Sequence, residues 1–193
     1  VECAVGKLKV NIINHRTTGE LTAVPFAVNK GVKTYYEVTG EGPDFLMLHA
    51  NPCDHRMWVY QIAFFSRRFR VIATDMRGYG RTDKPAEPYG FEELAEDALA
   101  VCEQERITSG IIAGASMGSK IAFKMVIERP DLFQAMIHVG GNAHRGSSYD
   151  GRAAGYLDAD VPSYRAGHLA ELFAPGFSET PRGKFHSNII LDD

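Results

Sequence analysis

The pattern with the clearest chemical meaning is a serine held between two glycines, Gly-Ala-Ser-Met-Gly at residues 114–118. An apolar run at 111–113 precedes it and a helical apolar pattern follows it, which predicts a strand, a sharp turn and a helix. On so tight a turn the serine backbone is strained, and strand and helix approach too closely for side chains at Gly114 and Gly118. The pattern predicts Ser116 as a nucleophile.

Two other interpretations of this serine are weaker. A serine that only caps a helix needs no glycine on either side. A phosphate-binding loop requires G-x-x-x-x-G-K-[ST], and the spacing from Gly114 to Lys120 does not match it.

Strands and helices alternate along the chain around this turn. A β-hairpin is predicted over 26–38, and apolar runs at 45–48, 71–73, 111–113 and 135–139 predict buried strands. Helices are predicted after Asp54, over 91–104 and over 117–129, where Pro130 stops the last one. The predicted fold class is α/β, with a mainly parallel sheet covered on both faces.

Two further motifs stand in order before the serine. His49-Ala50-Asn51-Pro52 follows the first buried strand, and residues 75–83 read Asp-Met-Arg-Gly-Tyr-Gly-Arg-Thr-Asp. Together with the serine pattern they resemble the oxyanion loop, the D-x-R-G-x-G-x-S turn and the nucleophile turn of the α/β-hydrolase family. The resemblance covers about residues 24–142. It implies a sheet of the α/β-hydrolase type, truncated before its last strands.

The resemblance also implies where an oxyanion would be bound. One donor is the Met117 N–H at the positive end of a helix, and the other is the Asn51 N–H. Pro52 has no N–H to offer and holds Asn51 extended. Ala50 stands where the family usually has glycine, which adds a methyl group to a tight loop, and Thr82 replaces the common serine but keeps a hydroxyl.

Five other residues near these motifs are predicted to be structural. In the family the His49 position supports the oxyanion loop, and Asp75 and Arg77 tie the neighbouring turn. Trp58 has helical spacing with Ile62 and Phe65, which favours a place in the core. The sequence shows no base pattern around the single thiol of Cys53, which predicts an inert side chain.

The remaining triad residues are expected downstream of residue 193. The family order is nucleophile, acid, histidine. Some members carry the acid directly after the strand that precedes the lid, where this chain has Gly-Gly-Asn at 140–142, and Asp150 is a distant substitute. The histidines after the serine are predicted to lie on the surface or in the lid: His144, His168 and His186.

Three regions follow from this interpretation. Residues 1–23 are an extension without an assigned structure, 24–142 form the N-terminal part of the hydrolase core, and 143–193 begin the lid. From the end of the core onward, residues 141–163 predict a loop, 164–173 a helix, and the rest a polar, irregular tail. If the chain ends at Asp193, the strand near 136–139 is an apolar edge, which predicts a longer native chain or self-association through that edge.

Composition excludes several classes of function. A net charge of −3 without a basic block argues against a nucleic-acid or membrane-surface partner, and no apolar stretch is long enough to span a membrane. Three cysteines without metal-like spacing fit a reducing cytoplasm.

The predicted function is a serine hydrolase that cleaves carboxylic esters or related acyl bonds of small molecules, without metal or cofactor. The resemblance leaves esterases, lactonases, carbon–carbon bond hydrolases and cofactor-free haloperoxidases open. Epoxide hydrolases and haloalkane dehalogenases resemble the fold but attack with a carboxylate, which Ser116 argues against. The alternative is a catalytically idle fragment, or a binding protein on a hydrolase scaffold.

Overall fold

A six-stranded mixed sheet is the centre of the computed structural model, which describes residues 26–141 and 176–191. The strands are β1 Phe26–Asn29, β2 Val32–Thr39, β3 Asp44–Leu48, β4 Arg70–Thr74, β5 Gly110–Ala115 and β6 Phe133–Val139. Their spatial order is β1-β2-β4-β3-β5-β6. The pairs β1–β2 and β2–β4 are antiparallel, whereas β4, β3, β5 and β6 run parallel.

Helices pack on both sides of this sheet. On one side lie α2 Phe91–Gln104 and α3 Met117–Glu128, and on the other lies α1 Val59–Phe65. Helix α4 Pro181–Leu191 and two 3₁₀ turns, His55–Trp58 and Phe177–Glu179, complete the described helical elements. This arrangement confirms the predicted α/β class, and the bounds of α2 and α3 differ from the predicted ones by at most one residue.

The core lies in two layers because side chains alternate across each strand. In β3, Leu46 and Leu48 join the layer beneath α2 and α3, while Phe45 and Met47 join the layer beneath α1. Strands buried on both faces need apolar residues at every position, which explains the uninterrupted apolar runs of the sequence. Trp58 is 6 % exposed and belongs to the layer under α1, as predicted.

The carboxyl ends of the parallel strands meet at one edge of the sheet. Leu48 at the end of β3 pairs with Thr74 of β4 and with Gly114 of β5. On the far side of β5, Ala115 pairs with Val139 of β6. The segments that follow these four strands therefore start side by side, at the edge where open α/β sheets bind their ligands.

The prediction of an irregular tail is wrong for residues 181–191, which form α4. The Thr180 hydroxyl caps this helix by accepting a hydrogen bond from the Gly183 N–H at 2.9 Å, and Pro181 occupies the first helical position. The helix has no strong apolar periodicity, so the Thr-Pro pair was its main signal in the sequence.

Helix α4 lies against α1. The Arg182 guanidinium stands over the Tyr60 ring, 5.0 Å from its centroid, and the His186 ring is 5.9 Å from the same ring. His186 thus packs on an outer helix. That residues 143–193 begin a lid stays a prediction, and the proposed extension 1–23 and helix 164–173 lie outside the described residues.

Strand β6 is the outermost strand on its side of the described sheet, and Ile137 and Val139 are exposed on it. Self-association through this edge stays a prediction. Within residues 26–141 and 176–191, none of the helices is long and apolar enough to cross a lipid bilayer.

Candidate active site

Ser116 occupies a sharp turn between β5 and α3. Its backbone has φ 49° and ψ −107°, a conformation that residues with a side chain rarely adopt, and its side chain is exposed. The Ser116 N–H donates to the Val139 carbonyl of β6 at 2.8 Å, which holds the strained turn against the neighbouring strand. The local geometry is the strained, protruding serine that the sequence pattern predicts.

The two flanking glycines are required by close backbone contacts. A Cβ atom at Gly114 would collide with the Gly118 carbonyl, and one at Gly118 would collide with the Leu48 carbonyl. Neither collision could be relieved by a side-chain rotation, because the obstacles are main-chain atoms. Gly118 therefore allows α3 to begin directly against the end of β3.

The loop after β3 is held by His49, which is fully buried. Its Nε2 accepts a hydrogen bond from the Met76 N–H at 2.9 Å, so the proton is on Nδ1, which donates to the Ala50 carbonyl at 2.9 Å. Burial lowers the pKa of His49 and keeps the ring neutral. With both nitrogens occupied, His49 supports the loop, in the structural role that the sequence analysis assigned to it.

Asn51 lies in the same loop, three residues beyond the end of β3, and precedes Pro52 through a cis peptide bond. The Tyr79 hydroxyl donates to Asn51 Oδ1 at 2.9 Å. The Cys53 N–H closes the turn on the Ala50 carbonyl at 2.8 Å. Asn51 and Ser116 thus follow neighbouring strands at the same edge of the sheet, and Met117 begins α3.

The turn after β4 is anchored by Asp75. The Asp75 carboxylate accepts from the backbone N–H groups of His55 and Arg81 at 2.8 and 2.9 Å. The Thr82 hydroxyl donates to the Asp75 carbonyl at 2.6 Å and accepts from the Tyr35 N–H at 2.8 Å. The threonine therefore supplies the hydroxyl that this turn needs.

Arg77 in the same turn forms a buried, two-bonded ion pair with Asp97 of α2. The distances from Nε and Nη2 to the two carboxylate oxygens are 2.7 and 2.8 Å. The pair holds the turn to the helix, as expected of Arg77 from the sequence.

A buried charge network beside the site was missed by the sequence analysis. His55 Nδ1 lies 2.6 Å from Asp75 Oδ1, and His55 Nε2 lies 3.5 Å from Glu37 Oε1. The Tyr35 hydroxyl donates to the same Glu37 oxygen at 2.6 Å. Burial alone would lower the pKa of His55, but the two carboxylates outweigh it and raise this pKa to about 9. His55 is therefore a cation at neutral pH.

Asp54, His55 and Asp75 also bring three ligand-type atoms within 4.8 Å of one another. These atoms already have partners, however. Asp54 caps the 3₁₀ turn through the Arg56 N–H and pairs with the Arg56 side chain, while Asp75 binds His55. The cluster is satisfied as a hydrogen-bonded ion network.

No acid or base reaches the Ser116 hydroxyl among the described residues. The position after β6 where an acid could stand is occupied by Gly141. It lies close to the Ser116 backbone, since a Cβ atom at Gly141 would be 3.0 Å from the Ser116 carbonyl oxygen. The exposed His138 is engaged elsewhere, because its Nε2 is 2.7 Å from the Gly141 oxygen and its ring packs on Phe123. Asp150, His144 and His168 lie outside the described residues.

Comparisons with known proteins agree with this geometry. The family model described as alpha/beta hydrolase fold matches residues 43–188. The AB hydrolase superfamily protein YisY of Bacillus subtilis (strain 168) is 38 % identical over 94 residues, which are 48 % of this chain and 35 % of that protein. Epoxide hydrolase 3 of Siraitia grosvenorii is 32 % identical over 112 residues, 56 % of this chain and 35 % of that protein.

Among solved structures, the enol-lactonase from Burkholderia xenovorans LB400 superposes with a TM-score of 0.77 at 25 % identity. The match covers 87 % of this chain and 66 % of that one. The chain spans about a third of the length of the two curated relatives. Because the family model covers well over half of its residues, the chain belongs to the alpha/beta hydrolase fold family.

Proposed function

We propose that the protein is a serine hydrolase that cleaves carboxylic esters or related acyl bonds of small molecules through an acyl-enzyme on Ser116. The observation that carries the proposal is the exposed hydroxyl on a positive-φ turn, at the ligand-binding edge of the sheet. A strained, protruding serine costs stability, and such strain persists where it contributes to a site.

In the proposed reaction, Ser116 Oγ forms a bond to the acyl carbon, and its proton passes to a base that we expect outside the described residues. The negative charge that develops on the carbonyl oxygen is stabilised by the N–H groups of Met117 and Asn51. Collapse expels the alcohol, which takes up a proton, and water then hydrolyses the acyl-enzyme. The start of α3 at Met117 favours negative charge at this point.

The identity of the nucleophile supports an ester or lactone over an epoxide. The relatives include an epoxide hydrolase and an enol-lactonase, so the family alone leaves both chemistries open. Ester and lactone cleavage through an acyl-enzyme suits a hydroxyl nucleophile, whereas epoxide opening in this family uses a carboxylate. The side chain at 116 is a hydroxyl.

A second candidate is a scaffold without hydrolytic activity. It is favoured by one observation: within residues 26–141 and 176–191, no carboxylate or imidazole is bonded to the Ser116 hydroxyl. A serine without its partners loses most of its nucleophilicity, although an oxyanion hole alone leaves some catalysis.

A fluorophosphonate probe separates the two candidates. We expect the intact native protein to gain one adduct at Ser116 and its Ser116→Ala variant to gain none, measured by mass spectrometry of the peptides. Ser109→Ala, which removes another exposed serine hydroxyl, is the matched control and should label like the parent. A folded parent that gains no adduct supports the inactive scaffold and refutes the hydrolase.

A further inference from the structure

Tyr79 links the two loops that flank the nucleophile. It belongs to the turn after β4, yet its hydroxyl donates to Asn51 Oδ1 in the loop after β3, at 2.9 Å. The two residues are 28 positions apart in the chain. The hydroxyl therefore connects a segment that has no part in the proposed reaction with the residue whose N–H would face the oxyanion.

The Tyr79 side chain is itself firmly placed. Its ring meets the His49 ring edge-on, with centroids 5.3 Å apart, and packs against the core layer under α2 and α3. Its backbone N–H donates to the Met76 carbonyl at 2.9 Å, and its carbonyl accepts from the Thr82 N–H at 3.1 Å. Because both the ring and the backbone of Tyr79 are held in place, its hydroxyl has a fixed position.

The hydrogen bond from Tyr79 restrains Asn51, the residue of the loop whose N–H is the proposed oxyanion donor. Oxyanion donors contribute to catalysis only if they are already placed where charge will develop, and a displacement of about 1 Å is costly. The Asn51 side chain and the Asn51 N–H share one Cα, so a bond on Oδ1 restrains the donor as well. Residues 49, 50 and 53, on either side of Asn51, have hydrogen bonds of their own.

We propose that Tyr79 is a positioning residue for the oxyanion hole, whose hydroxyl holds Asn51 through its side-chain oxygen so that the Asn51 N–H faces the developing charge. This inference rests on the proposed function of Ser116. It assigns Tyr79 a role in the rate of acylation and none in binding the substrate.

The test is the rate of Ser116 modification in Tyr79→Phe, which removes only the hydroxyl. We expect the rate constant of fluorophosphonate labelling to fall about tenfold. With an ester that the parent cleaves, kcat should fall by a similar factor while KM stays within about twofold. Tyr89→Phe is the matched control, because the Tyr89 hydroxyl bonds the Arg77 carbonyl at 3.3 Å and not Asn51. It should label like the parent.

A double-mutant cycle separates positioning from a general loosening of the turn. Asn51→Ala keeps the backbone N–H but removes the acceptor, so it should slow labelling as much as Tyr79→Phe does. If the two residues act through one bond, the double variant should be no slower than either single variant. Losses that multiply in the double variant would overturn the proposal, as would a Tyr79→Phe rate within about twofold of the parent.

The Asn51 backbone amide offers a readout that does not depend on activity. Its NMR resonance should shift, and its hydrogen exchange accelerate, in Tyr79→Phe but not in Tyr89→Phe. Absence of Ser116 labelling in the parent refutes the proposed function. In that case the Asn51 amide signal in Tyr79→Phe still shows whether Tyr79 positions Asn51. An unchanged amide overturns the inference in either case.

Discussion

The charge on His55 makes the stability of this protein depend on pH in a defined window. The His55 side chain is 9 % exposed and lies between Asp75 and Glu37, which together raise its pKa from 6.5 to about 9 against the effect of burial. The pKa is higher in the folded chain than in the unfolded one. The network therefore stabilises the fold fully below about pH 6.5, and this stabilisation is lost as the pH rises through about 9.

The size of the effect follows from the pKa difference. A rise from 6.5 to about 9 corresponds to about 3 kcal/mol of folding free energy. Domains of this size are usually stable by about 5–15 kcal/mol, so the loss is a large share of the total. Burial raises the pKa of the Cys102 thiol from 9.0 to about 12, so this thiol adds its own loss of stability only above about pH 9.

Urea unfolding between about pH 6 and pH 9 measures the effect, with the fluorescence of Trp58 as the probe. Trp58 is the one tryptophan of the chain and ends the 3₁₀ turn that carries His55. We expect the free energy of unfolding of the parent to fall by about 3 kcal/mol across this range, and that of His55→Gln to change much less. The two proteins should converge near pH 9.

His138→Gln is the matched control, because it removes an exposed imidazole and leaves the contacts of His55 with Asp75 and Glu37 intact. Proton NMR of the His55 ring gives the folded-state midpoint directly, and we expect it near 9. A midpoint near 6.5, or equal slopes in the parent and His55→Gln, would refute the reasoning.

Two further substitutions test the strain and the buried ion pair. Ser116→Gly should raise the free energy of unfolding, measured in urea at neutral pH, by about 1 kcal/mol, because glycine adopts φ 49° without strain. Ser116→Ala should not raise it, and equal stability of the two variants would contradict a strained turn. Arg77→Met should cost about 3 kcal/mol, because it leaves the buried Asp97 carboxylate without its cation. Arg77→Lys should recover only part of that loss, since lysine cannot form the bidentate pair. A loss below about 1 kcal/mol in Arg77→Met would argue against a stabilising role of the ion pair.

Features that depend on residues close together along the chain were predictable from the amino-acid sequence. The turn at Ser116 is specified within five residues, because the glycines at 114 and 118 remove the Cβ atoms that would collide there. The strands were visible because a sheet buried on both faces needs continuous apolar runs. The cap of α4 was also local, but the helix without apolar periodicity escaped detection.

Contacts between distant segments were decided only by the tertiary structure. Glu37 approaches Asp75 because β2 pairs with β4 and places Glu37 opposite Ala73, two residues before Asp75 on the same face of the sheet. His55 reaches both carboxylates only because its 3₁₀ turn packs on that face. Tyr79 meets Asn51 for a similar reason, since β4 and β3 are neighbours and end together. Strand order and register are properties of the assembled sheet, so no local pattern encodes these partners.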